Sequence, residues 1–301
     1  MTVETVAPRP RSVRNLRLHG LLYLLPALLL VLGIVYAGIG YTGWTSFYQW
    51  DGLSPTKKFV GWGNYQRMLD DKVLWRALRH VGIFAVLTIF LQMAIGLGMA
   101  MLLRRGLVAG AAVYKAIMFI PVVMAPAVVA TVFRDIMNPD GWMQSRMAEN
   151  GLGALVHPWL ADPKTALYGI VAINIWQWTG FSFVLYQAAL AQVDEGLFEA
   201  ASIDGASALQ QLWYVLLPQL RTAHLTLIMT GCIGSLKTFD IVLLTTGGGP
   251  GRASEFLTTY IYKQAVVQFR AGYSAALSVL MLVVAVTITV IQMRLARLGE
   301  D

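Results

Sequence analysis

Glu199-Ala200-Ala201-Ser202-Ile203-Asp204-Gly205-Ala206, continued to Val215-Leu216-Leu217-Pro218, is a polar, helix-forming stretch set between two long apolar runs. A stretch of that kind, so placed, is expected at a membrane surface where a soluble partner can reach it. Residues 195–204 are good helix formers, the acidic first turn complements the positive helix end, and Gly205 is a natural stop. Ser207 with Gln210 three positions later forms a capping-box pattern for a second helix, and Pro218 suits the first turn of the helix after it. Ala200, Ala201 and Ala206 keep the surface shallow, so two short helices meeting at a glycine elbow should make a compact knob.

The runs on either side set the class. The 301 residues are 57% hydrophobic and 13% charged, whereas about a quarter of the residues of a soluble domain are charged. The expected fold class is therefore an all-α polytopic membrane protein. A net charge of +7 would suggest nucleic acid in a soluble chain; beside apolar segments it fits topology and lipid headgroups, and no nucleic-acid partner is expected. Cys232 is the single cysteine, which excludes an intramolecular disulfide.

Six transmembrane helices are expected, at 21–41, 81–103, 115–133, 165–191, 224–245 and 273–293, each near the roughly 20 residues a bilayer span requires. Residues 1–20 read as a basic cytoplasmic tail with Arg9, Arg11, Arg14 and Arg17, residues 21–294 as the transmembrane domain, and 295–301 as a second cytoplasmic tail. The basic start followed by an apolar core also describes a signal peptide, but the core is longer than the usual 7–15 residues and lacks a convincing cleavage site. Arg9 to Arg17, Arg104-Arg105 and Arg294 with Arg297 lie close to helix ends, which places both termini and residues 194–221 inside. That inner segment carries Asp194, Glu195, Glu199 and Asp204, against the positive-inside trend, and suggests a basic cytosolic partner; a solvated amphipathic loop is the plainer alternative.

Several polar residues fall inside the apolar runs. Pro121 and Pro126 bend or break the third span, so its freed carbonyls need protein or water partners. Asn174, Gln177, Trp178 and Phe181 share one helix face that suits a hydroxylated solute, although helix packing explains the same pattern. Lys237 and Asp240, three residues apart in one helix, should not face lipid and can pair with each other. The aromatic residues of 44–80, among them Trp44, Trp50 and Trp62, can stack on sugar rings or simply pack an external loop. Residues 134–163 read as a second external loop with a turn at Asn138-Pro139-Asp140-Gly141. The glycine-rich run 247–251 ends the fifth helix, but no Lys-Ser or Lys-Thr follows in phosphate-loop register, so no nucleotide site is expected in this chain. Metal-ligand clusters and nucleophile–base pairs are likewise not evident, and no enzyme activity is expected.

Glu199-Ala200-Ala201, Gly205 six residues after the Glu, and Val215-x-Leu217-Pro218 resemble the EAA signature of membrane subunits in ATP-binding-cassette importers, with Val where Ile is common. Phe59-Val60-Gly61-x-x-Asn64-Tyr65, Phe239-Asp240, Thr246-Gly247-Gly248-Gly249-Pro250 and Thr259-Tyr260-Ile261-Tyr262 are similar to the carbohydrate-uptake branch, which includes the maltose and glycerol-3-phosphate permeases. The resemblance runs from Leu21 to Arg294. It implies a type I importer fold in a bacterial or archaeal inner membrane, with Glu199, Ala200, Ala201, Asp204, Gly205 and Ala206 in a coupling helix seated on a cytosolic ATPase. It also implies a second homologous permease, two ATPase subunits holding ATP and magnesium, and an external solute-binding protein. Asn174, Gln177, Trp178, Phe181, Phe239 and Asp240 are the candidates for a pathway carrying a sugar-like solute. An ion- or proton-coupled secondary transporter using Lys237 and Asp240 is the rival reading.

Overall fold

A computed structural model describes residues 23–104, 110–153 and 156–297. The basic tail at 1–20, Arg105 and the chain end from 298 lie outside the described residues. The chain is mostly helical. Helix α1, Tyr23–Thr45, is apolar on all sides and has no buried residue in its most apolar window, so its surface must be covered by lipid or by another subunit. A two-residue hairpin follows, β1 (Tyr48–Gln49) antiparallel to β2 (Lys58–Phe59), with Tyr48 opposite Phe59. The rings of this region pack on one another: Trp44 lies 4.5 Å from Tyr48, Phe47 5.3 Å from Trp62, and the Lys57 ammonium 3.8 Å from the centre of Trp50. That arrangement favours the packing reading of the aromatic cluster.

After a short helix α2 (Gly63–Asp70), α3 runs from Lys72 to Arg104, 33 residues. It starts well before residue 81, because Lys72, Arg76 and Arg79 mask its first turns in hydropathy. At 1.5 Å per residue it is about 50 Å long, so its first turns extend beyond a hydrocarbon core of about 30 Å. Asp71 caps it, accepting the amides of Val73 (2.9 Å) and Leu74 (3.2 Å) on Oδ1. The other carboxylate oxygen accepts the hydroxyls of Tyr260 and Tyr273, both at 2.5 Å. Burial, the largest single effect on this carboxyl, would raise its pKa; the two tyrosine hydroxyls and the two amides together outweigh it and hold the pKa below the ordinary value. Since the folded-state pKa is the lower one, the clamp stabilises fully above the ordinary carboxylate value and loses that contribution as pH falls from there through the lowered folded-state pKa. Thermal unfolding of the detergent-purified protein should therefore show a melting temperature that drops on acidification below about pH 4, and Asp71→Asn should lower the neutral-pH melting temperature and flatten that drop.

The third apolar run is two helices, α4 (Ala111–Val123) and α5 (Pro126–Ile136), bent by 96°. Pro121 is accommodated inside α4, and the break falls at Met124 and Ala125, both extended, because the residue before Pro126 is excluded from helical geometry. Gln177 Nε2 donates to the freed Met124 carbonyl at 3.1 Å, a protein partner of the kind the sequence demanded. In the loop that follows, the Gly141 amide donates to the Asn138 carbonyl at 2.8 Å, closing the expected turn, and a short helix α6 (Trp142–Met147) comes after it. Helix α7, Ala166–Leu190, lies parallel to α3: Gln92 bonds Asn174, and Gly96 meets Ser182 and Phe183. Against α7, α4 is antiparallel and very close; a Cβ on Gly180 would sit 2.0 Å from the Met118 carbonyl oxygen.

Beyond α8 (Gly196–Ile203) and α9 (Ala208–Gln210), which continues as helical turns to Gln219, comes α10, Arg221–Lys237. The expected helix over 224–245 is interrupted here. Thr238 and Phe239 leave helical geometry, and α11 (Asp240–Thr245) begins afresh. Lys237 and Asp240 consequently form no ion pair among the described residues. Lys237 closes the negative end of one helix and Asp240 opens the positive end of the next, which explains two charges in an apolar run better than mutual pairing does. Thr258 Oγ1 donates to the Thr238 carbonyl at the break. Left-handed glycines 247, 248 and 251 then turn the chain into α12 (Leu257–Tyr262), where buried Glu255 meets Lys263 at 2.6 Å. Helix α13, Ala271–Arg297, completes the chain.

Among the described residues three helices are long and apolar enough to cross a membrane, Tyr23–Thr45, Lys72–Arg104 and Ala271–Leu295, and the bent pair α4 and α5 makes a fourth if it is one span. Two apolar cores are found among the described residues, and neither includes a residue of α1. One surrounds Phe84, Ile170, Ile173, Phe256 and Leu277; the other surrounds Phe183, Tyr186, Leu190 and Leu220.

Candidate functional site

The glycine-turned segment of α8 and α9 is built almost entirely by local interactions. Gly205 has φ +78, the left-handed conformation that glycine enters without a Cβ penalty. Its amide donates to the Ser202 carbonyl (3.1 Å) and the Ala206 amide to the Ala201 carbonyl (2.9 Å), the paired bonds of a Schellman end. Two residues on, the Ser207 amide donates to Gln210 Oε1 (2.7 Å) while the Gln210 amide donates to Ser207 Oγ (3.4 Å), so the capping box is present. Gln211 Nε2 ties the two helices across the elbow, donating to Ser202 Oγ (3.0 Å) and the Ala206 carbonyl (3.2 Å). Glu199, Ala200, Asp204 and Gly205 are exposed, and Ala201 and Ala206 half-buried. Glu199 and Asp204 form no ion pair among the described residues. Glu195 lies 3.8 Å from Arg104, whose guanidinium sits over the Phe198 ring. The knob thus stands at the Arg104 end of α3, away from the end where Asp71, Tyr260 and Tyr273 meet. Ile203, Leu209, Trp213 and Tyr214 extend it as exposed apolar surface.

A cavity of about 290 Å³ opens between α3, α7, α10 and the start of α11. All of Asn174, Gln177, Trp178, Phe181, Phe239 and Asp240 line it, and so does Lys237. Their contributions differ. Asn174 Oδ1 accepts from Gln92 Nε2 at 3.0 Å, and buried Gln177 is engaged by the Met124 carbonyl, so Gln177 holds the helix break as well as forming wall. Trp178 remains 39% exposed within a cavity wall, leaving ring surface available for contact. Phe239 is braced edge-on by Tyr262 at 5.5 Å. Sequence reasoning missed Thr88, Gln92, Thr230 and Thr238, which add hydroxyl and amide groups to the wall; the only signal was a polar residue in an apolar run. Flat aromatic surface with scattered hydroxyls and amides, flanked by one cation and one anion, can orient a hydroxylated solute without binding it permanently.

Residues 92–298 match the family of binding-protein-dependent transport system inner membrane components. The chain is 32% identical over 282 residues to the probable ABC transporter permease protein YurN of Bacillus subtilis (strain 168), covering 93% of this chain and 96% of that one. It is 30% identical over 285 residues to the trehalose/maltose transport system permease protein MalF of Thermococcus litoralis, covering 94% and 95%. A bacterial alginate ABC transporter, solved in complex with an alginate pentasaccharide-bound periplasmic protein, shares the fold with a TM-score of 0.76 at 19% identity, covering 96% of this chain and 98% of that one. The chain belongs to the family of binding-protein-dependent transport system inner membrane components. It is a multi-pass membrane permease subunit of an ABC importer in a bacterial or archaeal inner membrane, not itself an enzyme; ATP hydrolysis resides in separate subunits.

Proposed function

We propose that this chain forms half of the translocation pathway of a sugar importer, with a second, homologous permease supplying the other half. The observation that carries this reading is the exposed, acidic, glycine-turned knob at one end of the bundle together with a polar-aromatic cavity inside it. Six membrane crossings with both termini cytoplasmic put residues 194–221 inside, where Glu199 meets a basic residue in a cleft of a cytosolic ATPase subunit. Two such subunits hold ATP and magnesium, and this chain holds neither. Their closure moves the coupling helices and rocks the permeases from inward-facing to outward-facing while a loaded solute-binding protein docks outside. The carbohydrate class is supported by the named substrates of relatives such as the trehalose/maltose permease and by the aromatic and hydroxyl lining of the cavity.

Purification of the assembly from its native membrane should bring down a second permease and an ATPase, and a screen of sugars and polyols with the external binder should find one that stimulates ATP hydrolysis. A chain that purifies without any ATPase contradicts the assembly. Within the cavity, Trp178→Ala is expected to weaken uptake about tenfold, the scale of losing one aromatic contact, with assembly unchanged. Unaltered uptake kinetics would return Trp178 to a packing role.

A further inference from the structure

At the end of the bundle opposite the coupling knob, three arginines from separate parts of the chain converge. Arg67 on α2, Arg252 after the glycine-rich turn and Arg270 just before α13 line an open pocket of about 360 Å³ with Asp70, Asp71, Tyr260, Gln264 and Gln268. All three arginines are exposed. Among the described residues none of them enters an ion pair, although two carboxylates line the same pocket. Asp71 is already engaged by two tyrosine hydroxyls and two backbone amides. Those same tyrosines support the guanidinium groups: Arg67 lies 4.5 Å from the centre of the Tyr273 ring and Arg252 6.0 Å from that of Tyr260. A guanidinium held over an aromatic ring still has N–H donors to offer a further partner. The Gln264 side chain is 2% exposed and its Oε1 has no hydrogen-bond partner. Its amide can turn over to present a donor instead, the two orientations being nearly isosteric. Arg252 (φ +67) and Phe269 (φ +50), beside Arg270, hold left-handed backbone, a conformation that persists in such residues only where the surroundings impose it.

We propose that Arg67, Arg252 and Arg270 form a receptor for a carboxylate side chain of the external solute-binding protein, which fixes that protein's orientation on the permease. The proposal rests on the importer reading above. A carboxylate is the group whose geometry matches a guanidinium fork, and the pocket is separated from the coupling knob by the length of α3, as a docking site on the other side of the membrane must be. Asp70, which also lines the pocket, disfavours acidic surfaces presented out of register.

The test measures binding of the purified solute-binding protein to the intact transporter in neutral-lipid nanodiscs. Arg252→Glu and Arg270→Glu are each expected to weaken binding about tenfold or more, Arg→Lys to have a smaller effect, and raised ionic strength to narrow the differences. Co-purification of the ATPase subunits reports that each variant is folded. Inorganic phosphate should compete with binding to the wild type and have little effect on the residual binding of Arg252→Glu. Unchanged affinity in correctly assembled variants overturns the receptor alone. Phosphate bound at the arginines without any effect on protein association makes this a free-anion site and also overturns it. A wild-type transporter that binds no external protein overturns the importer reading itself.

Discussion

Gly205→Pro is expected to lower solute-stimulated ATP hydrolysis by the assembled transporter roughly tenfold or more, within the usual range of coupling between sites, while membrane insertion is preserved. Proline is locked near φ −65° and cannot adopt the +78° found at this position. It also lacks the amide that Gly205 donates to Ser202. The elbow would open, the Gln211 bonds across it would be lost, and the acidic helix would meet its partner at the wrong angle. Since no atom lies within 4 Å of a Cβ at residue 205, the effect comes from backbone geometry alone. Gly205→Asn, which tolerates left-handed backbone, should therefore retain most of the coupling. Glu199→Lys tests the other half of the contact: it leaves the elbow intact, reverses an exposed charge and should weaken docking of the ATPase subunit. Stimulated hydrolysis that is normal in both Gly205→Pro and Glu199→Lys would remove the knob from the coupling mechanism.

The second large effect is expected deep in the bundle. Gly180→Val puts a Cβ 2.0 Å from the Met118 carbonyl oxygen, and backbone cannot yield there as a side-chain tip would. Helices α4 and α7 must separate, which pulls Gln177 away from Met124 and leaves the carbonyl at the break unsatisfied in an apolar setting. A loss of about 3 kcal/mol or more is expected from overpacking and the orphaned polar group together. Thermal unfolding in detergent and the yield of monodisperse protein measure it. Gly98→Val, at a position with open space around it, is the control that should unfold near the wild-type temperature. Wild-type stability in Gly180→Val would mean that the two helices do not pack as described.

The contrast between these two glycines shows what the sequence made legible. The segment around Gly205 could be read residue by residue because its code is short-range: a stop at Gly205, a Ser207–Gln210 capping box and an acidic first turn all act within a few positions. The face Asn174, Gln177, Trp178 and Phe181 was legible for the same reason, since helical spacing alone brings it together. The break between α10 and α11 was not, because neither glycine nor proline marks Thr238 or Phe239; a side chain twenty residues away, Thr258, satisfies the exposed carbonyl. Nor was the start of α3 legible, since its charged first turns hide from a hydropathy window and its cap depends on Tyr260 and Tyr273. Gly180 and the three-arginine pocket are tertiary facts, and neither carries a local pattern.

Uptake into proteoliposomes reconstituted with both permeases and the ATPase subunits, with the solute-binding protein supplied outside, addresses energy coupling directly. Solute accumulation should require ATP on the side of residues 194–221, disappear when the ATPase subunits are omitted, and be indifferent to collapse of proton and sodium gradients. Accumulation driven by an ion gradient with this chain and no ATPase subunit would contradict it and return Lys237 and Asp240 to consideration as a coupling site.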